Sequence, residues 1–371
     1  MRLILFFIAF FLAGGLSAQL SDSVRINSFT FNDPNNEELC WMELDKDYEV
    51  FLIGEHHNVS VNPKLLEKIF KHLYFNANAR YLLIEYGSAE AYLYNRYLET
   101  GDTTYLADTW NYQFIEYREM WHNLYEFNKV IPKKDKIEVI GVDFEWKQSL
   151  LRMIIDLDTN NEENDLVNEF RKEVLDLYET EKKFNLKKWI LSKRHLINRN
   201  LEEFKSYYGK KNYNILVKAI NNNAFYEDFQ KRDKEMYNNF HRLYPQFKKG
   251  KFVGMFGNVH TDKSIPKSFA HKLYAKDHSY AKDHVMTLFT YYYRCCTSYD
   301  NENKLFEVKL GIFFNAKEEQ RFKRFVYELP NKYYIIDLRD KVGEFSEIVK
   351  HYDFMFIIKE QKAATPIENQ R

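Results

Sequence analysis

The chain has 371 residues, 45% hydrophobic and 29% charged, enough to bury a sizeable core in one large domain or a domain with a substantial insertion. Lys plus Arg and Asp plus Glu both count 54, so there is no whole-chain field to draw nucleic acid. Aromatics at 17%, with only 12 Gly and 7 Pro, fit an ordered, helix-rich fold and exclude a disordered one.

The first element is the leader "MRLILFFIAFFLAGGLSAQ". Arg2, an apolar run over 3–12 and the exit Leu16-Ser17-Ala18 read as a secretory signal peptide over 1–18. The run is short for a membrane span, and no cysteine follows it to carry a lipid anchor. The expectation is an exported, periplasmic or extracellular protein whose mature chain starts near Gln19 and has no membrane span. Cys40, Cys295 and Cys296 are too few for a stapled scaffold, and adjacent cysteines rarely pair. A bridge from Cys40 to one of the pair stays open, with burial as small apolar side chains the preferred reading.

After a polar lead-in to Asp47, strand-like runs alternate with helical patterns. "EVFLIG" from Glu49, "RYLLIEYG" from Arg80 and "KIEVIGVDF" from Lys136 read as strands, with helices between them over 64–75 and 88–98. From about 147 to 246 the pattern becomes charged and helical, a helical insertion whose charges form a solvated face. Strand patterns resume at "KFVGMFG" from Lys251, then at "HVMTLFTYYY", "KLFEVKLGIFF", "RFVYELP", "YYIIDL" and "YDFMFIIKE". The predicted architecture is a single α/β domain over 19–361. Its central sheet is mixed and largely parallel, flanked by helices, and 362–371 form a polar tail.

Four strand ends carry polar residues: Glu55, His56 and His57 after "FLIG", Glu85 after "YLLI", Asp143 after "VIG", and His260 in "GNVH". In open α/β sheets such positions face the crevice where ligands bind. Histidine can take a proton from water near neutral pH, and a neighbouring carboxylate fixes its tautomer. No Gly-x-Ser-x-Gly elbow is present, so direct attack by water fits better than a serine nucleophile. Glu55, His56, His57 and His260 are also acceptable ligands for a divalent transition metal, although the chain lacks His-Glu-x-x-His. His72, His195, His241 and His351 read as surface groups, and Tyr291, Tyr292 and Tyr293 as alternating packing residues of a strand.

The motifs together resemble the erythromycin esterase-like family, within a grouping that includes ChaN-like haem-binding proteins. "IGEHH", "LLIEYGSAEAYLYNRYLETGD", "YREMWHNLYEFNK" with "IEVIGVDFEW", "RDKEMYNNF", "FVGMFGNVHTDK" and "YDFMFIIKE" carry the likeness, in the family's order. The resemblance implies a hydrolase acting on a small-molecule ester, with His57 as general base on water and Glu55 beside it. It makes His260 the second essential imidazole and Glu85 a further catalytic acid. Arg232, Asp233, Asp143, His56 and His122 take substrate-binding places. No cofactor is expected; the alternatives are a metal-dependent hydrolase on the same Glu/His cluster and a haem- or iron-binding protein of the ChaN-like type. The family's esterases usually separate glutamate and histidine by two residues. Glu55 and His57 are separated by one, as in the ChaN-like branch.

Overall fold

The computed structural model describes residues 26–31, 48–157, 164–180, 182–226, 228–247, 250–299, 302–306, 315–339 and 346–367. The leader, the start at Gln19, Cys40 and the later part of the strand expected over 304–314 lie outside the described residues.

Ten strands are described: β1 Ile26–Ser28, β2 Val50–Glu55, β3 Ala79–Ile84, β4 Glu138–Gly141, β5 Lys251–Gly257, β6 Val285–Tyr293, β7 Cys295–Tyr299, β8 Glu302–Phe306, β9 Tyr333–Asp337 and β10 Phe354–Lys359. Eight form one mixed, mostly parallel sheet in the order β1-β9-β10-β6-β2-β5-β3-β4, and β7 pairs with β8. The α/β class expected from the strand–helix alternation is the class observed. The chain divides into two compact units, 1–79 with 255–366, and 80–254 with 367–371.

In the first unit β2 runs parallel to β6, in register from Val50↔Val285 to Ile53↔Leu288, and β6 runs parallel to β10. Beyond β10 the pairing turns antiparallel, to β9 and then β1. Every residue of β2, β6 and β10 is buried, which is why these runs are mostly apolar on both faces instead of alternating. Alternation survives in what each β6 face meets: Phe289, Tyr291 and Tyr293 pack with Phe322, Phe325, Val326 and Tyr352. After β2 comes the helix Asn62–Ala77, with Pro63 in its first turn, where no helical N–H is lost. Left-handed Asn78, φ 61°, closes it.

In the second unit β3 and β4 pair in parallel, from Tyr81↔Glu138 to Ile84↔Gly141. The region expected to be helical contains Lys147–Asp156, Asp165–Glu179, Leu186–Arg199, Leu201–Ile220 and Phe229–Leu243. Leu150, Phe170, Ile190, Phe204 and Leu216 are among the residues of its own apolar core. The helix Leu201–Ile220 breaks at Gly209, whose φ of 68° suits a residue without a β-carbon.

Three expectations are corrected. "RFVYELP" is not a strand: it lies largely within the helix Ala316–Glu328, opened by a reciprocal capping box between Asn315 and Glu318. The buried residues Phe322, Phe325 and Val326 fall at three- and four-residue spacing, a helical period. The tail does not begin at Lys362, because Val59 bridges Ala363 and Asn58 accepts from the Ala364 N–H at 2.8 Å. Of the four histidines read as surface groups, only His195 is exposed. His72 is 2% exposed on the inner face of its helix. His351 is ion-paired to Asp262 at 2.8 Å, and His241 is half-buried against Tyr237. Among the described residues no helix is long and apolar enough to cross a membrane.

Candidate active site

β2 delivers Glu55 at its carboxyl end, and the turn after it carries His56 and His57. Gly54 lets the chain pass close to the short helix Asn258–Thr261, since a β-carbon there would meet the side chains of Asn258 and Thr261. Glu55 is 7% exposed and fully committed: Oε1 lies 2.7 Å from His57 Nδ1, and Oε2 accepts from Asn62 Nδ2 at 2.6 Å. A second Asn62 proton goes to the His56 carbonyl at 2.8 Å, and the Asn62 Oδ1 accepts from the Tyr292 hydroxyl at 2.8 Å. Thr297 donates to the His57 carbonyl at 2.7 Å. A buried carboxylate is thus hydrogen-bonded on both oxygens, as its desolvation requires.

The His57 side chain is 47% exposed. With Nδ1 donating to Glu55, its Nε2 keeps the lone pair. That nitrogen lies 3.2 Å from the position a β-carbon on Gly257 would occupy, and His260 Cδ2 lies 3.6 Å from the same point. The two imidazoles, 203 positions apart in sequence, therefore flank one glycine. His260 itself is buried. The turn behind it is fastened by Asp262 to His351 and by Lys263 to Asp353, both at 2.7–2.8 Å. Burial works against the Asp262 charge, but hydrogen bonds from His351 and Ser264 outweigh it and hold the carboxyl below the usual carboxylate range. His56 is half-buried, its Nδ1 3.4 Å from the His57 carbonyl, and burial lowers its basicity. Among the described residues no three His, Cys, Asp or Glu side chains are grouped to hold a metal.

The second unit holds a different cluster. Arg232, on the helix Phe229–Leu243, donates from Nε to both Asp143 oxygens at 3.0 and 2.8 Å, and from one terminal nitrogen to Glu85 at 2.8 Å. That nitrogen also pairs with Asp143, and the guanidinium lies 5.0 Å from the Phe144 ring centroid. Asp143 is completely buried. Burial opposes the arginine's charge, but Asp143, Glu85 and Asp233 overcome it, so Arg232 stays protonated. Asn222 donates to the Asp143 carbonyl at 2.6 Å and to Glu145 at 2.9 Å, and Asn239 links Val142 to Asn222. Glu145 accepts from the backbone N–H groups of Ser88 and Ala89, opening the helix Ser88–Thr100. Asp233 is half-buried, and His122 is exposed on the helix Ile115–Val130.

Asn62, Tyr292, Thr297, Asn222 and Asn239 are absent from the sequence-level candidates. Tyr292 hides in an apolar run, and asparagines in loops and helices carry no pattern. Only the cluster of strand-end carboxylates hinted that partners had to exist.

No family model matches the chain, and no curated protein does. Solved structures do match. A protein from Bacillus cereus superimposes with TM-score 0.69 at 17% identity, covering 96% of this chain and 99% of its own. A succinoglycan biosynthesis protein gives 0.68 at 14%, covering 95% and 98%. An erythromycin esterase EreC mutant in its open conformation gives 0.62 at 9%, covering 93% and 100%. At such identities it is the path of the chain that is shared, and the chain has an erythromycin esterase-like α/β fold.

Proposed function

We propose that the protein is a hydrolase that cleaves an ester or related bond of a small molecule with water activated by His57. The observation that carries this reading is the Glu55–His57 pair at 2.7 Å, with the second ring nitrogen directed at the glycine that His260 also flanks. The water oxygen bonds to the carbonyl carbon while its proton passes to His57 Nε2. Glu55 stabilises the resulting imidazolium, and His260 polarises the substrate oxygen. Collapse of the tetrahedral intermediate breaks the ester bond, and the His57 proton leaves with the alcohol. Arg232 is committed to the completely buried Asp143 and to Glu85, about a tenth exposed, so its part is to hold the ends of β3 and β4. The leader over 1–18 supports a place of work outside the cytoplasm, and no cofactor enters this route.

The test is a panel of neutral esters offered to purified mature protein, with and without chelator, beside His57→Ala. Turnover that resists chelator and vanishes in the variant is expected. Turnover lost to chelator and restored by zinc would move the reaction to a metal site. A protein that hydrolyses nothing but retains haem through purification would replace the hydrolytic reading with a binding one.

A further inference from the structure

A run of hydrogen bonds inside the first unit leads from Tyr292 through Asn62 and Glu55 to His57, and counting protons leaves it a single arrangement. Asn62 Nδ2 faces a Glu55 carboxylate oxygen at 2.6 Å and the His56 carbonyl at 2.8 Å, both acceptors only, so both amide protons donate. A flipped amide would set its oxygen against two acceptors. Oδ1 therefore faces the Tyr292 hydroxyl at 2.8 Å, and that hydroxyl must donate to it. The phenolic oxygen is left to accept from the His56 backbone N–H at 3.4 Å. Burial pushes the Tyr292 phenol well above its ordinary value, so it keeps the proton it donates. With Oε2 held by Asn62, Glu55 presents Oε1 to His57 Nδ1 at 2.7 Å.

We propose that Asn62 and Tyr292 are positioning residues for His57, holding Glu55 in the orientation that keeps the ring proton on Nδ1 and the lone pair on Nε2. The proposal rests on the reading of His57 as the general base, and neither residue touches reacting atoms. Its effect falls on the tautomer more than on the loop, because Thr297 holds the His57 carbonyl independently at 2.7 Å. In metal sites too, groups that orient a histidine from behind fix its tautomer, and their loss costs about 10- to 100-fold.

The experiment is nitrogen NMR on mature protein labelled at its histidine rings, with the His57 signals assigned by their loss in His57→Gln. Wild type should show His57 protonated at Nδ1 alone. Asn62→Leu should show both tautomers, with kcat on any ester turned over by wild type falling about 10- to 100-fold and KM little changed. Tyr292→Phe keeps the buried ring and should lose about fivefold, the worth of one neutral hydrogen bond. It decides the matter if Asn62→Leu does not fold. A wild-type His57 protonated at Nε2 overturns the proposal with no variant needed, as does an unchanged tautomer in both variants. If the tautomers behave as expected while wild type turns over nothing, the relay stands and the hydrolytic reading falls.

Discussion

The two polar clusters, one in each unit, use the same ingredients to opposite ends. In the first, a buried glutamate faces an imidazole that is half open to solvent and whose ring nitrogens can both give and take a proton. In the second, an arginine that cannot lose its proton sits between Asp143 and Glu85, with no outlet for a proton and little contact with water. A strand-end carboxylate is thus not by itself a sign of catalysis. What it is bonded to, and whether that partner reaches solvent, decides whether the group can do chemistry or holds the fold.

The largest effect that would break this comparison is on turnover. His57→Ala and His260→Ala should each lower kcat/KM about 100- to 10,000-fold on an ester the wild type hydrolyses. The double variant should be scarcely worse than either, since groups acting as a unit do not lose independently. Multiplying losses would assign the two imidazoles separate tasks. His57→Ala should cost little stability beyond the Glu55 hydrogen bond it removes, whereas His260 is buried, so its variant is checked in urea before its turnover is read.

Arg232→Ala should do the reverse. The family resemblance suggested a substrate-binding residue. The structure shows instead that its removal strands two carboxylates, one wholly buried. Breaking a buried pair from one side costs about 3–5 kcal/mol, which a urea denaturation midpoint would register. A stable, inactive Arg232→Ala would restore the pocket role and erase the contrast between the units.

Much of this is legible in the sequence. "EVFLIG" and "KFVGMFG" read as strands, and the candidates at their ends, His57 and His260, are the two imidazoles that the structure brings to one glycine. Two kinds of residue were not legible. Tyr292 looks like any aromatic in a buried strand, because its hydroxyl partner lies 230 positions away. His72 sits among lysines on a helix, and only the docking of that helix shows which face is inward. "RFVYELP" read as a strand because the cap at Asn315 that starts the helix, and Phe322 that completes its period with Phe325 and Val326, lie before that run.

Glu90 sharpens the comparison from within the second unit. The Ser149 hydroxyl has one proton and lies 2.8 Å from the Asp108 carbonyl, which can only accept. It also donates to Glu90 Oε2 at 3.1 Å, so its single proton is shared between two acceptors. Burial pushes the Glu90 pKa up to about 8, against the hydrogen bonds from Ser149, Trp110 and Tyr94. The folded state keeps a proton that the unfolded chain loses above about 4.5, so stability falls as pH rises towards 8 and levels off beyond it. Glu90→Gln reproduces the neutral donor and acceptor pattern. It should match wild type in urea near pH 4.5 and exceed it by roughly 4 kcal/mol at pH 8. Equal pH slopes for the two proteins would show that Glu90 is ionised.

The smallest effect separates two histidines of the same unit. His72 is buried where His57 is half open, and burial, helped by the charge of Lys68, lowers its pKa to about 4. Its Nδ1 lies 3.3 Å from the Asn76 amide, which suits a neutral ring accepting a proton there. Below about 6.5 the unfolded chain binds a proton that the folded one refuses until about pH 4, so His72 withdraws stability as pH falls through that window. Between pH 7 and pH 5 the loss should be on the order of 1–2 kcal/mol. His72→Gln, polar and always neutral, should abolish that part of the acid slope while leaving ester turnover at pH 7 as it was. His57→Gln should instead remove turnover. If His72→Gln retains the full acid slope, the imidazole is charged inside the fold, and burial does not govern which histidines of this protein can titrate.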